Sequence, residues 1–207
     1  MIWGFLMKYL YIFILLFFVL TSLNIDKIEA NDLYWQDIYN KNELILKQDE
    51  KDLMAKFKMA ISLANMGQVK ESYDLFNNFK NDYTMKIFSQ STAIYIKKLR
   101  ENKKNILLLN IAAFSKVVEN DYKEAVDYFL RILDIESENI WIQNYLAASY
   151  IEISELNKAR ELLTKAIKIQ DNKYSHLLLG MIHYKNGEIF KSLYEFSQSG
   201  DLLKYFL

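Results

Sequence analysis

Apolar residues recur along most of this chain every three or four positions, the spacing that places them on one face of an α-helix. Between 122 and 135, for example, Ala125 and Phe129 lie about one turn apart, while Asp127 and Arg131 are spaced for an i,i+4 salt bridge. The sequence has no proline and five glycines, so few residues interrupt helices. The pattern predicts helices at 31–47, 51–66, 69–81, 84–101, 104–119, 122–135, 139–153, 156–169, 173–186 and 188–199.

The helical pattern itself repeats along the chain. Residues 121–132 align with 155–166, so that Ala159 follows Ala125 by 34 positions. The preceding helices match in the same register, with Leu109, Ala112 and Ala113 aligned to Gln143, Leu146 and Ala147. A third copy occupies 179–196 with one residue fewer, and an earlier copy occupies 59–76. One additional helix, at about 85–100, is therefore inserted between the first copy and the last three.

Each copy carries small residues where its two antiparallel helices are expected to cross closely. These are Ala60, Ala113, Ala147 and Gly180 on the first helices and Ser72, Ala125, Ala159 and Ser192 on the second helices. A bulky residue one turn later is expected to fill the space between units: Phe76, Phe129, Leu163 and Phe196. Gly67, Asn120 and Gly187 fall in the turns, where a left-handed residue would close the first helix. No pair buries its apolar face alone, so stacking must supply the core.

These residues resemble the tetratricopeptide repeat (TPR) family, closely over 106–199 and more loosely over 53–82. The resemblance implies an all-α, right-handed superhelix of antiparallel helix pairs. After residues 1–30, a signal peptide or membrane anchor by its apolar run, it predicts a helical region 31–102 with one degenerate TPR-like unit at about 53–86 and a region 103–207 with three units and a short C-terminal cap. Whether 31–52 belongs to the array is left open. The proline that often ends a repeat in the family is missing, and Ser137 and Asp171 stand near its places.

The resemblance also implies a concave groove, lined by the first helix of each unit, that binds peptides or helices of partner proteins. Projection of the repeat places three ladders there: Leu107, Trp141 and Tyr174; Asn110, Asn144 and Leu177; Phe114, Ala148 and Met181. Aromatic residues would supply buried area, and an asparagine amide can both donate to and accept from a peptide backbone. Alternatively, the aromatic residues belong to the repeat core, and the asparagines are solvated or paired with each other.

The family's basic clamp for C-terminal carboxylates has no counterpart in this groove. Ile111, Phe114 and Tyr145 occupy the positions where lysine, arginine or asparagine would be needed. We therefore do not expect recognition of a free acidic C-terminus.

The N-terminal segment contains an uncharged apolar run from Tyr9 to Leu20, preceded by Lys8, with about the length of a signal-peptide core. Cleavage after Ser22 or Ala30 and retention as a membrane anchor through residues 1–23 both stay open, because residues 2–6 lengthen the run toward a full span. A buried core helix is disfavoured, since this helix would be apolar on every face.

The position of the start codon and the bacterial origin of the chain both affect how the N-terminal segment is interpreted. Initiation at Met7 instead of Met1 would place a lysine directly before the apolar run, as in signal peptides. The abundance of Lys, Ile, Asn, Leu, Phe and Tyr is typical of an AT-rich bacterial genome. We expect an exported bacterial protein, either periplasmic or anchored in the membrane and facing the periplasm.

Composition offers little chemistry for catalysis or nucleic-acid binding. Basic and acidic residues both number 26, so the chain lacks the basic excess of a general nucleic-acid-binding surface. There is no cysteine, and the two histidines, His176 and His183, lie about two turns apart on one helix, too far to share a metal. No catalytic or phosphate-binding motif is present. We predict no catalytic residue, metal or cofactor.

The densest basic run in the sequence consists of Lys97, Lys98, Arg100, Lys103 and Lys104. It is either a solvated face or a surface for an anionic partner or lipid.

Two functional hypotheses follow. The first is a non-catalytic scaffold or adaptor of the bacterial cell envelope that binds a partner protein in its groove. The alternative is a structural protein that forms homo-oligomers through the apolar C-terminal residues 201–207. Those residues would otherwise cap the open end of the array.

Overall fold

The computed structural model describes residues 31–79 and 82–206, and all the regular structure in these residues is helical. The helices are α1 (31–48), α2 (Leu53–Asn65), α3 (Val69–Phe76), α4 (Asp82–Leu99), α5 (Ile106–Val118), α6 (Tyr122–Leu133), α7 (Ile140–Glu152), α8 (Leu156–Ile169), α9 (Lys173–Lys185), α10 (Ile189–Gln198) and α11 (Leu203–Phe206), with 3₁₀ helices at Asn77–Phe79 and Gly200–Leu202. Each of the ten predicted helices is confirmed, with small shifts at the ends. The predicted signal or anchor helix lies outside the described residues.

The first helix of every repeat begins with a side-chain cap of the same kind. The carboxylate of Asp52 and the amide oxygens of Asn105, Asn139 and Asn172 accept from the backbone N–H three residues later, at 2.8, 2.9, 3.1 and 2.9 Å. Such a cap satisfies one of the N–H groups that have no partner within the helix. The last three caps follow the repeat register, so each unit begins at the same point.

The turn within each unit ends the first helix with a left-handed residue. Gly67, Asn120 and Gly187 have φ of 75°, 60° and 74°, as the sequence predicts, and Ser154 takes the same place in the third unit with φ of 64°. The next residue then donates back across the turn, for example from Gln68 N to Leu63 O at 2.9 Å and from Glu155 N to Tyr150 O at 2.8 Å. This is the Schellman arrangement, which satisfies carbonyls at the end of the helix.

The predicted close crossings are present in all four helix pairs. Ala113, Ala125, Ala147 and Ala159 are fully buried in the two middle units. In the outer units, Ser72 Oγ donates to Ala60 O at 2.9 Å, and Ser192 Oγ donates to Gly180 O at 3.0 Å. A Cβ on Gly180 would overlap the Phe196 ring. The same bond in the first and last units shows that both are repeats of one kind, although their sequences match only loosely.

The inserted helix α4 changes how the first unit stacks. α4 packs against α5 in the way that α6 packs against α7 and α8 against α9. It therefore takes the place that the second helix of a preceding unit would hold. α2 packs against α5 and also reaches α7, the first helix of the unit beyond. The first unit thus lies across the first helices of its successors.

Both ends of the described chain are tied to the array. Trp35 of α1 is fully buried in a core cluster that extends to Ile182 of α9. At the other end, the 3₁₀ helix Gly200–Leu202 packs on α9, and the Lys70 ammonium lies 4.2 Å from the centroid of the Tyr205 ring. The C-terminal segment therefore links the last unit to α3. Within 31–79 and 82–206, no helix combines the length and hydropathy needed to cross a bilayer.

Candidate protein-binding surfaces

The nine predicted groove residues lie on α5, α7 and α9, but none of them is exposed. Asn110, Phe114, Asn144 and Leu177 are buried, and Leu107, Trp141, Ala148, Tyr174 and Met181 are partly buried. An open groove would leave its ligand-facing side chains in solvent. These residues therefore contact other parts of the chain in this conformation, and their role in binding a partner stays a prediction.

The C-terminal end of α2 occupies part of the ladder. Asn65 Nδ2 donates to Asn110 Oδ1 at 2.9 Å, and the Tyr145 hydroxyl donates to Ala64 O at 3.2 Å. Gly67, at the turn after α2, lies so close to the Trp141 indole that a Cβ would overlap the ring. Backbone and side chains of the first unit thus fill the place that the resemblance gives to a ligand.

Aromatic rings continue this contact along the inner face. Phe76 of α3 stacks on Phe114 with centroids 5.3 Å apart, Phe114 meets Tyr145 at 5.0 Å, and Tyr145 meets Tyr174 at 5.8 Å. Burial raises the pKa of Tyr145 well above its ordinary value, with a smaller effect from Tyr174, and burial also raises the pKa of Tyr174. Both phenols are therefore neutral near pH 7, and the row of rings acts as core.

The two ladder asparagines do not pair with each other. Asn144 accepts from Ser175 Oγ at 2.6 Å and donates to Asn172 Oδ1 at 3.3 Å, joining α7 to the N-terminus of α9. Asn110 bonds to Asn65 and donates to Ile106 O at 2.9 Å. Both amides are fully buried, so they are structural groups here.

The histidines also hold helices together. His176 of α9 lies 2.6 Å from Glu195 of α10 and 2.7 Å from Asp171, and His183 bonds to Glu188. Burial lowers the pKa of His176, but the two carboxylates outweigh it, so the pKa is raised overall. Among the described residues, no cluster of three or more His, Cys, Asp or Glu has the arrangement of a metal site.

Within 31–79 and 82–206, the most exposed large apolar side chain and two further exposed ones lie on α10. Phe190 is 89% exposed, and Leu193 and Tyr194 are each 61% exposed, beside the half-exposed Ile189. We call Ile189, Phe190, Leu193 and Tyr194 the α10 face. Sequence reasoning had passed over it, although the repeat register carries the signal. The positions of Phe190 and Tyr194 are held by Lys123 and Asp127 in α6 and by Asn157 and Glu161 in α8.

The stacked helix pairs define a TPR-like fold, and solved structures share it. MamA from Desulfovibrio magneticus RS-1, residues 41 to the end, has a TM-score of 0.53 and 15% identity over 85% of this chain and 97% of that one. A MamA RS-1 double mutant has a TM-score of 0.52 and 14% identity over 84% and 96%. A thermophilic TPR protein from Thermus thermophilus has a TM-score of 0.48 and 11% identity over 80% and 81%. At such identities the likeness concerns the fold alone.

No protein-family model and no curated protein matches the sequence.

Proposed function

We propose that this chain is a non-catalytic protein-interaction scaffold that binds its partner on the α10 face. The proposal rests on a comparison between units: Phe190 and Tyr194 are aromatic, whereas the equivalent positions of α6 and α8 hold polar residues. In α6 the same positions are charged and face solvent. An exposed cluster of large apolar side chains on one helix is typical of an interaction site.

The partner surface that fits the α10 face is an amphipathic helix. In the inner units, the second helix is followed by the first helix of the next unit, as in the packing of α7 on α6. Leu193 holds the register position of Val126, which is buried, whereas Leu193 has no such cover. A partner helix that continued the stack would bury Leu193 by the contacts that the array already uses. Phe190 and Tyr194 stand at positions that face solvent in α6, so they would give the partner additional apolar contacts beside that helix.

Crosslinking in cells tests this proposal. A photoreactive amino acid replaces Leu193 in the full chain, with or without the substitutions Phe190→Lys and Tyr194→Asp, which copy α6. We expect crosslinks to an amphipathic helix of another protein, and a roughly tenfold or greater loss in the double variant. Loss of an aromatic anchor commonly costs more than about 1 kcal/mol of binding. Both residues are exposed, so little effect on folding is expected.

The matched control places the photoreactive group at Lys123, the equivalent position of Phe190 on α6. It should capture nothing comparable. Crosslinks that survive Phe190→Lys/Tyr194→Asp, or an equal yield from position 123, would contradict the proposal.

The same experiment addresses self-assembly, which one observation favours. α1 also exposes large apolar side chains, Leu33, Leu44 and Ile45, at 70%, 58% and 41%. Two different exposed apolar surfaces, on α1 and on α10, permit a heterologous contact between copies. Two results together would establish this alternative: crosslinks from position 193 to α1 of a second copy, and oligomers in light scattering that dissociate in the double variant. They would reject a helix of another protein as the partner.

The ladder residues remain a second candidate surface. A partner could reach Trp141 or the neighbouring Tyr145 only after the end of α2 and the turn that follows it had moved away, because Gly67 and Ala64 contact them now. Groove binding is therefore proposed as competition between a partner and α2.

We also propose that the scaffold works in the bacterial envelope, on the basis of the apolar run between Tyr9 and Leu20. Alkaline phosphatase fused after residue 207 should be active in a bacterial host, since the enzyme needs an oxidising compartment for its disulfides. The same fusion lacking residues 1–23 should be inactive. Activity of a β-galactosidase fusion to the full chain, with no phosphatase activity, would place the protein in the cytoplasm instead.

A further inference from the structure

A cleft of about 760 Å³ lies on a different part of the molecule, between the end of α4, the turn before α5, and α6. Four cationic side chains border it: Arg100, Lys103, Lys104 and Arg131. These include three of the five residues in the basic run of the sequence. The acidic residues of the lining are Glu124 and Asp134, so the cations outnumber them.

The cations of the cleft are largely free to bind a ligand. Among the described residues, Arg100, Lys103 and Lys104 form no salt bridge within 4.0 Å. Glu124 is already engaged, because its carboxylate lies 3.1 Å from Lys116 Nζ and accepts from the Tyr128 hydroxyl at 3.3 Å. The local field in the cleft is therefore positive although the chain as a whole is neutral.

One arginine is held in position on the wall. Arg131 Nη2 donates to Lys103 O at 3.2 Å, and its guanidinium carbon lies 5.4 Å from the Tyr128 ring centroid. These contacts restrict the side chain and leave other N–H groups of the guanidinium for a ligand. A carboxylate is the group that such a fork binds well.

The cleft also has apolar walls. Ile96, Leu99 and Ile135 line it together with the Tyr128 ring. A recess with cations at its border and apolar side chains inside suits a short segment that carries both carboxylates and one apolar side chain. A bilayer surface is broad and would not enter such a recess.

We propose that this cleft binds an acidic peptide segment of a partner protein, with one apolar side chain against Tyr128 and Ile135. The site is separate from the α10 face and would give the scaffold a second contact with its partner. Charge complementarity here would mainly speed association and select the partner, and salt would weaken it.

Fluorescence anisotropy with the full chain tests the site. The probes are a labelled acidic peptide, EELEE with blocked termini, and its neutral counterpart QQLQQ. We expect the full chain to prefer EELEE and the double variant Lys103→Glu/Lys104→Glu to bind it at least tenfold more weakly. Tenfold corresponds to about 1.4 kcal/mol, less than the loss of two charge-assisted contacts. Both lysines are exposed in a turn, and circular dichroism should show unchanged folding.

The matched control is Lys165→Glu/Lys168→Glu on α8, which changes the net charge equally at exposed positions outside the cleft. It should keep most of the affinity. Equal loss in both double variants would show an effect of overall charge and overturn the proposal. So would equal binding of EELEE and QQLQQ by the full chain. Capture by vesicles containing phosphatidylserine, sensitive to Lys103→Glu/Lys104→Glu but without peptide binding, would assign the cations to lipid and also overturn it.

Discussion

Replacement of Gly67 by alanine is expected to destabilise the fold by about 2–5 kcal/mol. Gly67 has φ of +75°, and the left-handed conformation costs a residue with a Cβ about 1–2 kcal/mol. The new Cβ would also overlap the Trp141 indole, and relief of such overpacking typically costs about 1–3 kcal/mol. Urea unfolding followed by circular dichroism measures the change in the free energy of unfolding.

Gly187→Ala is the matched control for the backbone contribution. Gly187 has φ of +74° and closes the first helix of the last unit in the same way, but a Cβ there would have nothing within 4 Å. It should therefore cost only the conformational part, about 1–2 kcal/mol. In a Trp141→Ala background, the cost of Gly67→Ala should fall to that of Gly187→Ala. Equal costs for the two glycines in the wild-type background would contradict the contact between α2 and the ladder.

Gly67→Ala also distinguishes the two candidate binding surfaces, the ladder and the α10 face. If a partner competes with α2 for the ladder, Gly67→Ala should loosen α2 and increase crosslinking from a photoreactive group at Leu107. Capture through the α10 face should not change. No increase at position 107, in protein that is still folded, would argue that the ladder serves only as core.

Asn144→Ala is expected to lower the free energy of unfolding by about 2–3 kcal/mol. Asn144 is fully buried, and its amide joins Ser175 and Asn172 at the start of α9. Alanine would leave the buried Ser175 hydroxyl without its acceptor and would loosen the cap that Asn172 forms.

Asn157→Ala on α8 serves as the comparison, since Asn157 is exposed and should change stability by less than about 0.5 kcal/mol. If Asn144 instead acted only as a solvated ligand contact, the two variants would unfold alike. Urea denaturation of both therefore distinguishes a structural asparagine from a free one.

The candidate surfaces show how far sequence reasoning reaches. The repeat register placed the nine ladder residues on the correct three helices, because each position depends only on a local period of 33 or 34 residues. It left open whether they face a partner or belong to the core, because the contacts of α2 with the ladder residue Asn110 and with the adjacent Tyr145 join residues 45 and 81 positions apart. The α10 face could have been found from the register, since aromatic residues stand where the other units have polar ones.

The sequence by itself determined the helices, their pairing and their turns. Apolar spacing, the small residues at the crossings, and glycine or asparagine at left-handed positions all act within one unit, so they can be read along the chain. Ser154 escaped this reasoning because serine does not mark a left-handed turn. The tertiary structure decided which helix faces are covered by other helices. α4 packs beside α5, and α2 lies against α5 and α7 on the inner face, where it buries the ladder. This outcome depends on packing between distant units, which no local period encodes.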